Sequence, residues 1–430
     1  MAHVLRLRAL ALALLATTLM AADWPQWRGP ARDGKSPDTG LLNQWPAGGP
    51  PLVQTLRGAG GGFSSMSVVE DTLYTQGYVA NREFVIAFDL RSGKQLWKRD
   101  LGAAVRVGYA GSRSTPTVDG DRLYVIGVDG DVACLNRRTG QVVWRRHMKR
   151  DWGGRPGNWG YAESPLVDGD AVVVTPGGSR ATIVKLDKRT GREIWRCLVA
   201  GKDRRGRARP ERAAYSSTVI TKGGGVKQYV QFLDGGVVGV SATDGRLLWR
   251  YDRPANRTAN ITTPIVSGPY VFAASAYNTG GGLLHLRSAE RGRVRATEVY
   301  FTRDMQNHHG GMILDSGLLF GCHRSIWTCL DFKTGAVLWK DRGVGKGSLV
   351  YADGKLVLYS ERGRVGLIRA SGEGYEPLGG FTVPGQTEHP TWAHPVVING
   401  RLYLRNWDEI FVYDVSGRST AARRNVRSAK

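Results

Sequence analysis

Polar turns and short apolar segments alternate along the whole chain, and five of these units share one pattern. Each begins with a polar turn that has Gly at a fixed place and continues as an apolar segment that ends in Trp. The five copies read DLRSGKQLW (residues 89–97), NRRTGQVVW (136–144), DKRTGREIW (187–195), SATDGRLLW (241–249) and DFKTGAVLW (331–339). An Asp or Asn that bonds nearby backbone N–H groups, followed by a Gly that supplies φ > 0, is typical of a tight turn between strands.

Three weaker copies add turn glycines at Gly292, Gly372 and Gly417 to those at Gly93, Gly140, Gly191, Gly245 and Gly335. The eight turns are spaced by roughly 40–50 residues, which is the length of a four-stranded repeat. We therefore expect eight repeats, with a Gly at φ > 0 in each turn.

A second pattern, a strand followed by a tight turn and another strand, precedes most of these turns. Its clearest copies are STPTVDGDRLYV from residue 114, ESPLVDGDAVVV from 163, TTPIVSGPYVFA from 262 and AHPVVINGRLYL from 393. Pro is tolerated at the start of a strand, and the alternation that follows indicates a half-buried strand. Because the two patterns keep phase, they favour an all-β, eight-bladed β-propeller over unrelated hairpins in a sandwich. We expect the Trp of each repeat to pack between neighbouring blades.

The two ends of the chain predict how the ring closes. The last repeat has three plausible strands and no Trp strand, whereas residues 49–58 form a strand without a repeat of its own. That strand is predicted to complete the eighth blade, which removes an open sheet edge. Residues 23–48 are predicted to be an N-terminal arm laid over the barrel and anchored by Trp, residues 23–417 a single propeller domain, and residues 418–430 a basic disordered tail.

The first 22 residues are predicted to be a secretory signal peptide. A basic start, an apolar stretch over residues 9–20 and small residues at Ala21 and Ala22 are typical of one. No other long apolar segment follows, so the mature chain is expected to lack a transmembrane segment. We expect an exported monomer in the periplasm, the cell envelope or outside the cell.

The formal net charge of +23 predicts attraction to polyanions. An Arg-rich solvated surface without a partner explains the same charge equally well. A nucleic-acid partner is not expected, because the chain is predicted to be exported and carries no nucleic-acid-binding motif. Of the four cysteines, only Cys322 and Cys329 are close in sequence. Their predicted diagonal placement on a hairpin is compatible with a disulfide and with two buried free thiols.

The D-x-x-T-G-x-x-x-W repeats resemble the pyrroloquinoline-quinone (PQQ)-type propeller repeat. That repeat occurs in quinoprotein alcohol dehydrogenases and in the propeller lipoprotein of the outer-membrane β-barrel assembly machine. The segments WPQWRGPARDG, NWGYAESPLVDGD, NHHGGMIL, GVGKGSLVYADG and WAHPVVINGRLYLR resemble secreted PQQ-binding-like propellers. The resemblance spans nearly the whole mature chain and implies the propeller fold.

The chain departs from both relatives in its functional residues. Quinoprotein dehydrogenases hold PQQ against a Trp and a pair of adjacent, disulfide-bonded cysteines, beside a calcium ion. This sequence has no adjacent Cys pair and nothing that matches the calcium ligands residue by residue; it also lacks the lipidated Cys of the assembly lipoprotein. We therefore expect no cofactor and no enzymatic activity. The alternative is a PQQ-dependent alcohol dehydrogenase that uses PQQ with calcium.

A binding site is predicted at the channel mouth, where the loops that enter the innermost strands meet. These loops carry polar and aromatic residues, from which we select Arg113, Trp159, Tyr161, Glu163, Asn307, His308, His309, Lys346, Trp392 and His394. No catalytic residue is assigned. No metal is expected, because adjacent His308 and His309 on a strand would point to opposite faces and no carboxylate is near in sequence. The predicted function is a non-catalytic binding or scaffold propeller whose partner is an envelope protein, a glycan or another polyanion.

Overall fold

The structure of the protein is a computed structural model that describes residues 22–104, 108–202, 205–385 and 388–417. It contains eight four-stranded antiparallel sheets arranged around a central channel, which confirms the predicted eight-bladed β-propeller. The first strands of successive blades pack against one another around the channel. The predicted signal peptide, except Ala22, and the predicted tail lie outside the described residues. Among the described residues, no helix is both long and apolar enough to cross a membrane.

The strands of each blade follow one another from the channel outward. In blades 1 to 4 they are Ser67–Val69, Thr72–Val79, Arg82–Asp89 and Gln95–Ala103; Thr117–Asp119, Arg122–Ile126, Asp131–Asn136 and Val142–His147; Leu166–Asp168, Ala171–Val174, Ile183–Asp187 and Glu193–Cys197; and Val219–Thr221, Gln228–Leu233, Gly236–Ser241 and Leu247–Tyr251. In blades 5 to 8 they are Ile265–Ser267, Tyr270–Ser275, Gly280–Ala289 and Arg293–Thr302; Asn307–Asp315, Leu318–His323, Ile326–Asp331 and Val337–Asp341; Gly347–Ala352, Lys355–Ser360, Arg364–Arg369 and Pro377–Thr382; and Val396–Ile398, Arg401–Asn406, Glu409–Asp414 and Leu52–Arg57. Smaller elements are the ribbon Ala200–Lys202 with Ala208–Pro210, the α-helix Met148–Trp152 and the 3₁₀ turns Gly223–Gly225 and Glu290–Gly292.

The outermost strand of blade 8 comes from the N-terminal part of the chain. Leu52–Arg57 pairs antiparallel with Glu409–Asp414, so the ring is closed by backbone hydrogen bonds between the two ends of the domain. This confirms the predicted closure by an N-terminal strand. It also leaves neither the first nor the last blade with an incomplete sheet.

The repeat turns show why their residue types are required. In the third blade, Asp187 Oδ1 accepts hydrogen bonds from Thr190 N at 2.8 Å and Thr190 Oγ1 at 2.7 Å, and Gly191 has φ +69°. The ring of Trp144, from the preceding blade, lies directly over this turn and donates from Nε1 to Lys188 O at 2.9 Å. A Cβ at Gly191 would lie 2.7 Å from that ring, so Gly is needed for both the backbone and the space.

Two of the eight predicted turn glycines do not have positive φ, in contrast to the other six. Gly372 lies in a longer connection over residues 370–376, where Ser371 Oγ accepts from Glu373 N at 3.0 Å in place of the tight turn. Gly417 is followed by no strand of its blade, because Leu52–Arg57 occupies that position. It pairs instead with the arm, donating from its N–H to Gly40 O at 2.8 Å. The expectation of φ > 0 was therefore wrong at these two positions.

The N-terminal arm runs across the channel rather than over the outside of the barrel. The arm makes hydrogen bonds to residues in or beside the inner strands of seven blades. In blade order these are Trp24 N to Val68 O, Val118 N to Pro25 O, Arg32 Nη2 to Ser164 O, Trp27 Nε1 to Thr263 Oγ1, Arg28 Nη2 to Met312 O, Ser36 N to Tyr351 O, and Gly400 N to Asp38 Oδ2. The arm therefore fills the channel from one end and ties the blades together.

A buried arginine joins the last blade to the first. Arg405, in the second strand of blade 8, is only 1% exposed. Its guanidinium nitrogens lie 2.6 to 3.3 Å from six acceptors, of which the three around Nη1 share its two N–H groups: Ala59 O, Gly60 O, Ser64 O, Thr75 Oγ1, Gln76 O and Trp407 O. Burial lowers the pKa of Arg405 to about 10, so it remains charged at neutral pH. The side chain therefore bridges the seam between blades 8 and 1, whereas the closing strand completes the sheet of blade 8 itself.

The four cysteines are buried free thiols. Cys322 lies opposite Trp327 and Cys329 lies opposite Phe320 in the hairpin of blade 6, which is the predicted diagonal placement. Of the two alternatives left open by the sequence, the structure has the free thiols.

Candidate functional site

A cavity of about 570 Å³ opens at the channel mouth. Its floor is formed by Trp27 and Arg28 of the arm, so the cavity is closed from below. Its walls come from the loops that enter the innermost strands and from the hairpins between the second and third strands, since both reach the same face of the ring. The described lining residues are Trp27, Arg28, Phe63, Tyr109, Arg113, Trp159, Ala162, Ser164, Tyr215, Ser217, Ala259, Ile261, Thr262, Thr263, Tyr277, His308, His309, Gly311, Lys346, Glu361, Pro390, Trp392 and His394.

The structure brings seven of the ten predicted site residues to this cavity: Arg113, Trp159, His308, His309, Lys346, Trp392 and His394. Tyr161, Glu163 and Asn307 do not line it. Tyr161 donates to Pro176 O at 2.9 Å within blade 3, and Asn307 donates to Gly311 O at 2.8 Å. They are buried between strands because each supplies a hydrogen bond to backbone that would otherwise lack one.

Glu163 is a buried carboxylate inside the ring. It is 3% exposed and accepts hydrogen bonds from the backbone and hydroxyl of Thr175, from Thr218 and from Gln231, at 2.7 to 3.0 Å. Burial raises the pKa of Glu163 to about 7, against the hydrogen bonds and the charge of Arg32, which lower it. Its role in this structure is therefore to join blades 3 and 4.

We expect Glu163→Gln to remove a pH dependence of stability. The unfolded chain loses the Glu163 proton near pH 4.5 and the folded protein near pH 7, so the unfolded state binds fewer protons in between. The free energy of unfolding contributed by Glu163 thus falls as pH rises through this window, by about 3 kcal/mol in all, and is constant above it. Urea unfolding at pH 4.5 to 8 measures the difference in the free energy of unfolding between the variant and the wild type. A difference that does not change with pH would contradict the assignment.

His308 and His309 do not point to opposite faces, in contrast to the sequence-based expectation. Their ring centroids are 5.0 Å apart and both line the cavity. The strand pairing is irregular between Asn307 and Met312, which frees this segment from the regular alternation of a strand. Glu361, which is distant in sequence, supplies the carboxylate that the sequence seemed to lack.

Glu361 is the centre of a hydrogen-bond cluster in the cavity wall. Its Oε1 accepts from His309 Nε2 at 2.7 Å, from Trp392 Nε1 at 2.7 Å and from Lys346 Nζ at 3.0 Å. Burial alone would raise the pKa of Glu361, but the hydrogen bonds and charges of these partners hold it at about 2. Glu361 is therefore ionised and already paired.

The three histidines of the cavity are neutral at pH 7. Burial lowers the pKa of His308 and of His394 to about 3, and it also lowers the pKa of His309. His394 Nε2 lies 2.8 Å from His309 O, so that nitrogen carries the proton and donates it. The ring of His309 is also 5.2 Å from that of Trp392, which joins blades 6 and 8 across the mouth.

His308, His309 and Glu361 each offer one ligand atom within 4.8 Å of the others, which is the geometry of a loose metal site. Lys346 argues against a metal site, because its ammonium contacts the carboxylate that a cation would need. The absence of a metal, expected from the sequence on other grounds, stays a prediction.

The residues fit PQQ with calcium poorly. Among the described lining residues, Glu361 is the one carboxylate, and an ammonium group occupies it. None of the four cysteines lies in the described lining. We therefore derive no step through this cofactor.

Aromatic side chains form the rim of the cavity, and two of these residues have a left-handed backbone conformation. Tyr109 has φ +61° and Tyr277 has φ +57°, and both rings are exposed. Positive φ is disfavoured for a bulky residue and is concentrated at functional sites. The ring of Tyr109 is 4.9 Å from that of Trp392, and Tyr277 Oη is 2.9 Å from His308 Nε2.

The sequence did not single out Trp27, Phe63, Tyr109, Tyr277 or Glu361. Tyr277 and Glu361 lie on hairpins between second and third strands, which reach the same face as the loops considered. On the sequence alone, polar and aromatic residues of those hairpins are therefore candidates on the same grounds as those of the loops. Trp27 gave only a weaker signal, as part of the Trp-rich arm.

The family described as outer membrane protein assembly factor BamB matches residues 81–341 of this chain. An outer membrane protein assembly factor BamB from Yersinia pestis is 21% identical over 327 residues, which cover 73% of this chain and 76% of the relative.

Two solved structures show the same fold. A quinohemoprotein alcohol dehydrogenase from Comamonas testosteroni has a TM-score of 0.64 at 13% identity, covering 92% of this chain and 81% of that chain. BamB from Moraxella catarrhalis has a TM-score of 0.59 at 15% identity, covering 86% of this chain and 98% of that chain. At such low identities the likeness concerns the fold alone. Because the family match spans more than half of the chain and the predicted PQQ-type repeats are confirmed, the chain belongs to the family described as outer membrane protein assembly factor BamB.

Proposed function

We propose that the protein is an exported, non-catalytic binding or scaffold propeller of the cell envelope, which holds a ligand or a segment of a partner in the cavity at its channel mouth. The observation that carries the proposal is the cavity itself. It is closed at the floor by the arm, lined by aromatic and cationic groups from most blades, and large enough for a small ligand or several side chains.

The family supports the scaffold part of this proposal. Its relatives are named for the assembly of outer membrane proteins, and a scaffold for envelope proteins is the corresponding role that we propose for this chain. The chemistry of the cavity supports the binding part. Its ionised carboxylate is held by three donors, so it is engaged in positioning Lys346 and Trp392 rather than free to take up a proton.

We expect Trp392→Ala and Arg113→Ala each to weaken binding of the partner by about 1–3 kcal/mol, because Trp and Arg usually carry most of the energy of an interface. Trp392 contacts Phe63 and Tyr109 at the centre of the rim, and Arg113 lies over the ring of Phe63. The measurement is capture from an envelope extract with the purified protein as bait, followed by titration of the captured partner.

Leu96→Ala and Arg99→Ala are the controls, because both residues lie on the outer strand of blade 1, away from the cavity, and the Leu96 side chain is exposed. The controls should retain the partner. Equal loss in all four variants, or unfolding of the cavity variants alone, would contradict the proposed site.

Micromolar PQQ with calcium should leave the thermal midpoint unchanged; a saturable shift with dye reduction by an alcohol would favour the dehydrogenase instead.

A further inference from the structure

One side of the cavity presents hydroxyl groups that accept a hydrogen bond and whose own protons have no acceptor in the described part of the chain. Ser164 Oγ accepts from Thr115 N, Ser217 Oγ accepts from Ser164 N, and Thr263 Oγ1 accepts from Trp27 Nε1, each at 2.9 Å. A hydroxyl that already accepts a hydrogen bond can still donate one. The cavity walls of blades 3, 4 and 5 are therefore suited to the oxygen atoms of a ligand.

The floor and the opposite side carry positive charge. Arg28 is 3% exposed, and both N–H groups of its Nη2 are directed to backbone oxygens, of Asp33 and Met312. Its Nε and Nη1 have no hydrogen-bond partner among the described residues. Among the described lining residues, Arg28, Arg113 and Lys346 are cationic and Glu361 is the one carboxylate, so the lining itself carries an excess of positive charge. Asp33 and Glu83, outside the lining, interact with Arg28 and Arg113 and offset part of it.

This charge decides between two classes of ligand for the same cavity. A divalent cation near His308, His309 and Glu361 would lie beside the ammonium of Lys346, which contacts the same carboxylate, and like charges repel strongly away from bulk water. An anionic group on the ligand would instead pair with these cations through charge-assisted hydrogen bonds.

The aromatic rim indicates a third property of the ligand, besides its oxygen atoms and its negative charge. Trp392, Tyr109 and Tyr277 surround the opening, and Trp159 lies within 5.6 Å of Tyr215 on the side of the hydroxyl groups. Aromatic faces bury the C–H surface of a ring while leaving its polar edge free to bond. Hydroxyl donors, cations and aromatic faces together match a ring that has several oxygens, one negative charge and apolar faces.

We propose that the cavity binds an acidic sugar, a pyranose ring that carries a carboxylate. The carboxylate is held on the side of Lys346, above the charge of Arg28, and the hydroxyl groups of the sugar contact Ser164, Ser217 and Thr263. The inference rests on the proposed function, since it names the ligand class of the same site.

The test is titration calorimetry of the full mature protein with short oligomers of glucuronate, galacturonate and mannuronate, each beside the neutral oligomer of the same sugar. At least one acidic oligomer should bind about tenfold tighter than its neutral counterpart at low salt, and the difference should shrink as salt is added. Lys346→Met should abolish this preference. Ser164→Ala should weaken acidic and neutral oligomers alike.

Lys340→Met is the matched control, because Lys340 pairs with Asp304 on the outside of blade 6. It should bind like the wild type. The ligand class is wrong if no member of the panel binds, if neutral oligomers bind as tightly as acidic ones, or if Lys346→Met keeps the preference. It is equally wrong if Zn²⁺ saturates the site while no acidic sugar does. In any of these cases a partner that is still lost in Trp392→Ala would leave the proposed function standing.

Discussion

Deletion of residues 23–58 is expected to abolish cooperative folding of the domain. The deletion removes the outer strand of blade 8 and an arm that bonds to seven blades. It exposes the edge of Glu409–Asp414 and opens the channel to water. The loss should reach several kcal/mol, which is comparable to the whole stability of an ordinary domain. Thermal unfolding followed by circular dichroism measures it.

A shorter deletion separates the two contributions. Removing residues 23–48 alone keeps the closing strand and should leave a folded ring with a lower thermal midpoint. Removing residues 418–430 serves as a control and should leave the midpoint unchanged. If the protein without residues 23–58 melted within a degree or two of the intact one, the closure would have no energetic importance.

Arg405→Met is expected to destabilise the protein by about 3–5 kcal/mol. Methionine fills a similar volume, but it leaves the oxygens of Ala59, Gly60, Ser64, Thr75 and Gln76 without their donor in a buried place. Unpaired buried acceptors cost about 1–3 kcal/mol each before the structure relaxes. Urea unfolding at neutral pH measures the change.

Arg99→Met is the matched substitution for Arg405→Met. Arg99 lies on the outer strand of blade 1 and makes one hydrogen bond, to Gly140 O at 2.8 Å. Its replacement should change the free energy of unfolding by about 0.5 kcal/mol. Similar effects of the two variants would show that the bonds across the seam contribute nothing beyond those of a surface arginine.

The fold could be predicted because its cause is local and repeated. The turns at Gly140, Gly191 and Gly245 need Gly both for their positive φ and for the Trp of the preceding blade, so the requirement appears in the sequence at regular spacing. Tyr300 takes the place of Trp in blade 5, with its hydroxyl bonded to Phe332 O at 3.0 Å, which explains why that copy looked weaker. The strand that completes blade 8 was predictable because the last repeat contains three predicted strands, whereas a blade has four.

The site was less predictable because its contacts join distant parts of the chain. Glu361 meets His309 only because blades 6 and 7 pack side by side, and no local pattern records that they touch. Glu163 looked like a site residue because a carboxylate in a channel loop is indistinguishable, in sequence, from one buried between strands. The irregular pairing at His308 and His309 also left no signal, since the residues themselves allow a regular strand.

The pairing of Leu52–Arg57 with Glu409–Asp414 has a consequence for the order of folding. Most blades consist of four consecutive strands and can form while the chain is still being synthesised. The last sheet, in blade 8, instead joins segments that are separated by most of the domain. Closing so long a loop is entropically costly and slow, and both edges stay unpaired until it happens. We expect the nearly finished ring to be the species most prone to aggregate, and chaperones that shield strand edges to act at this last step.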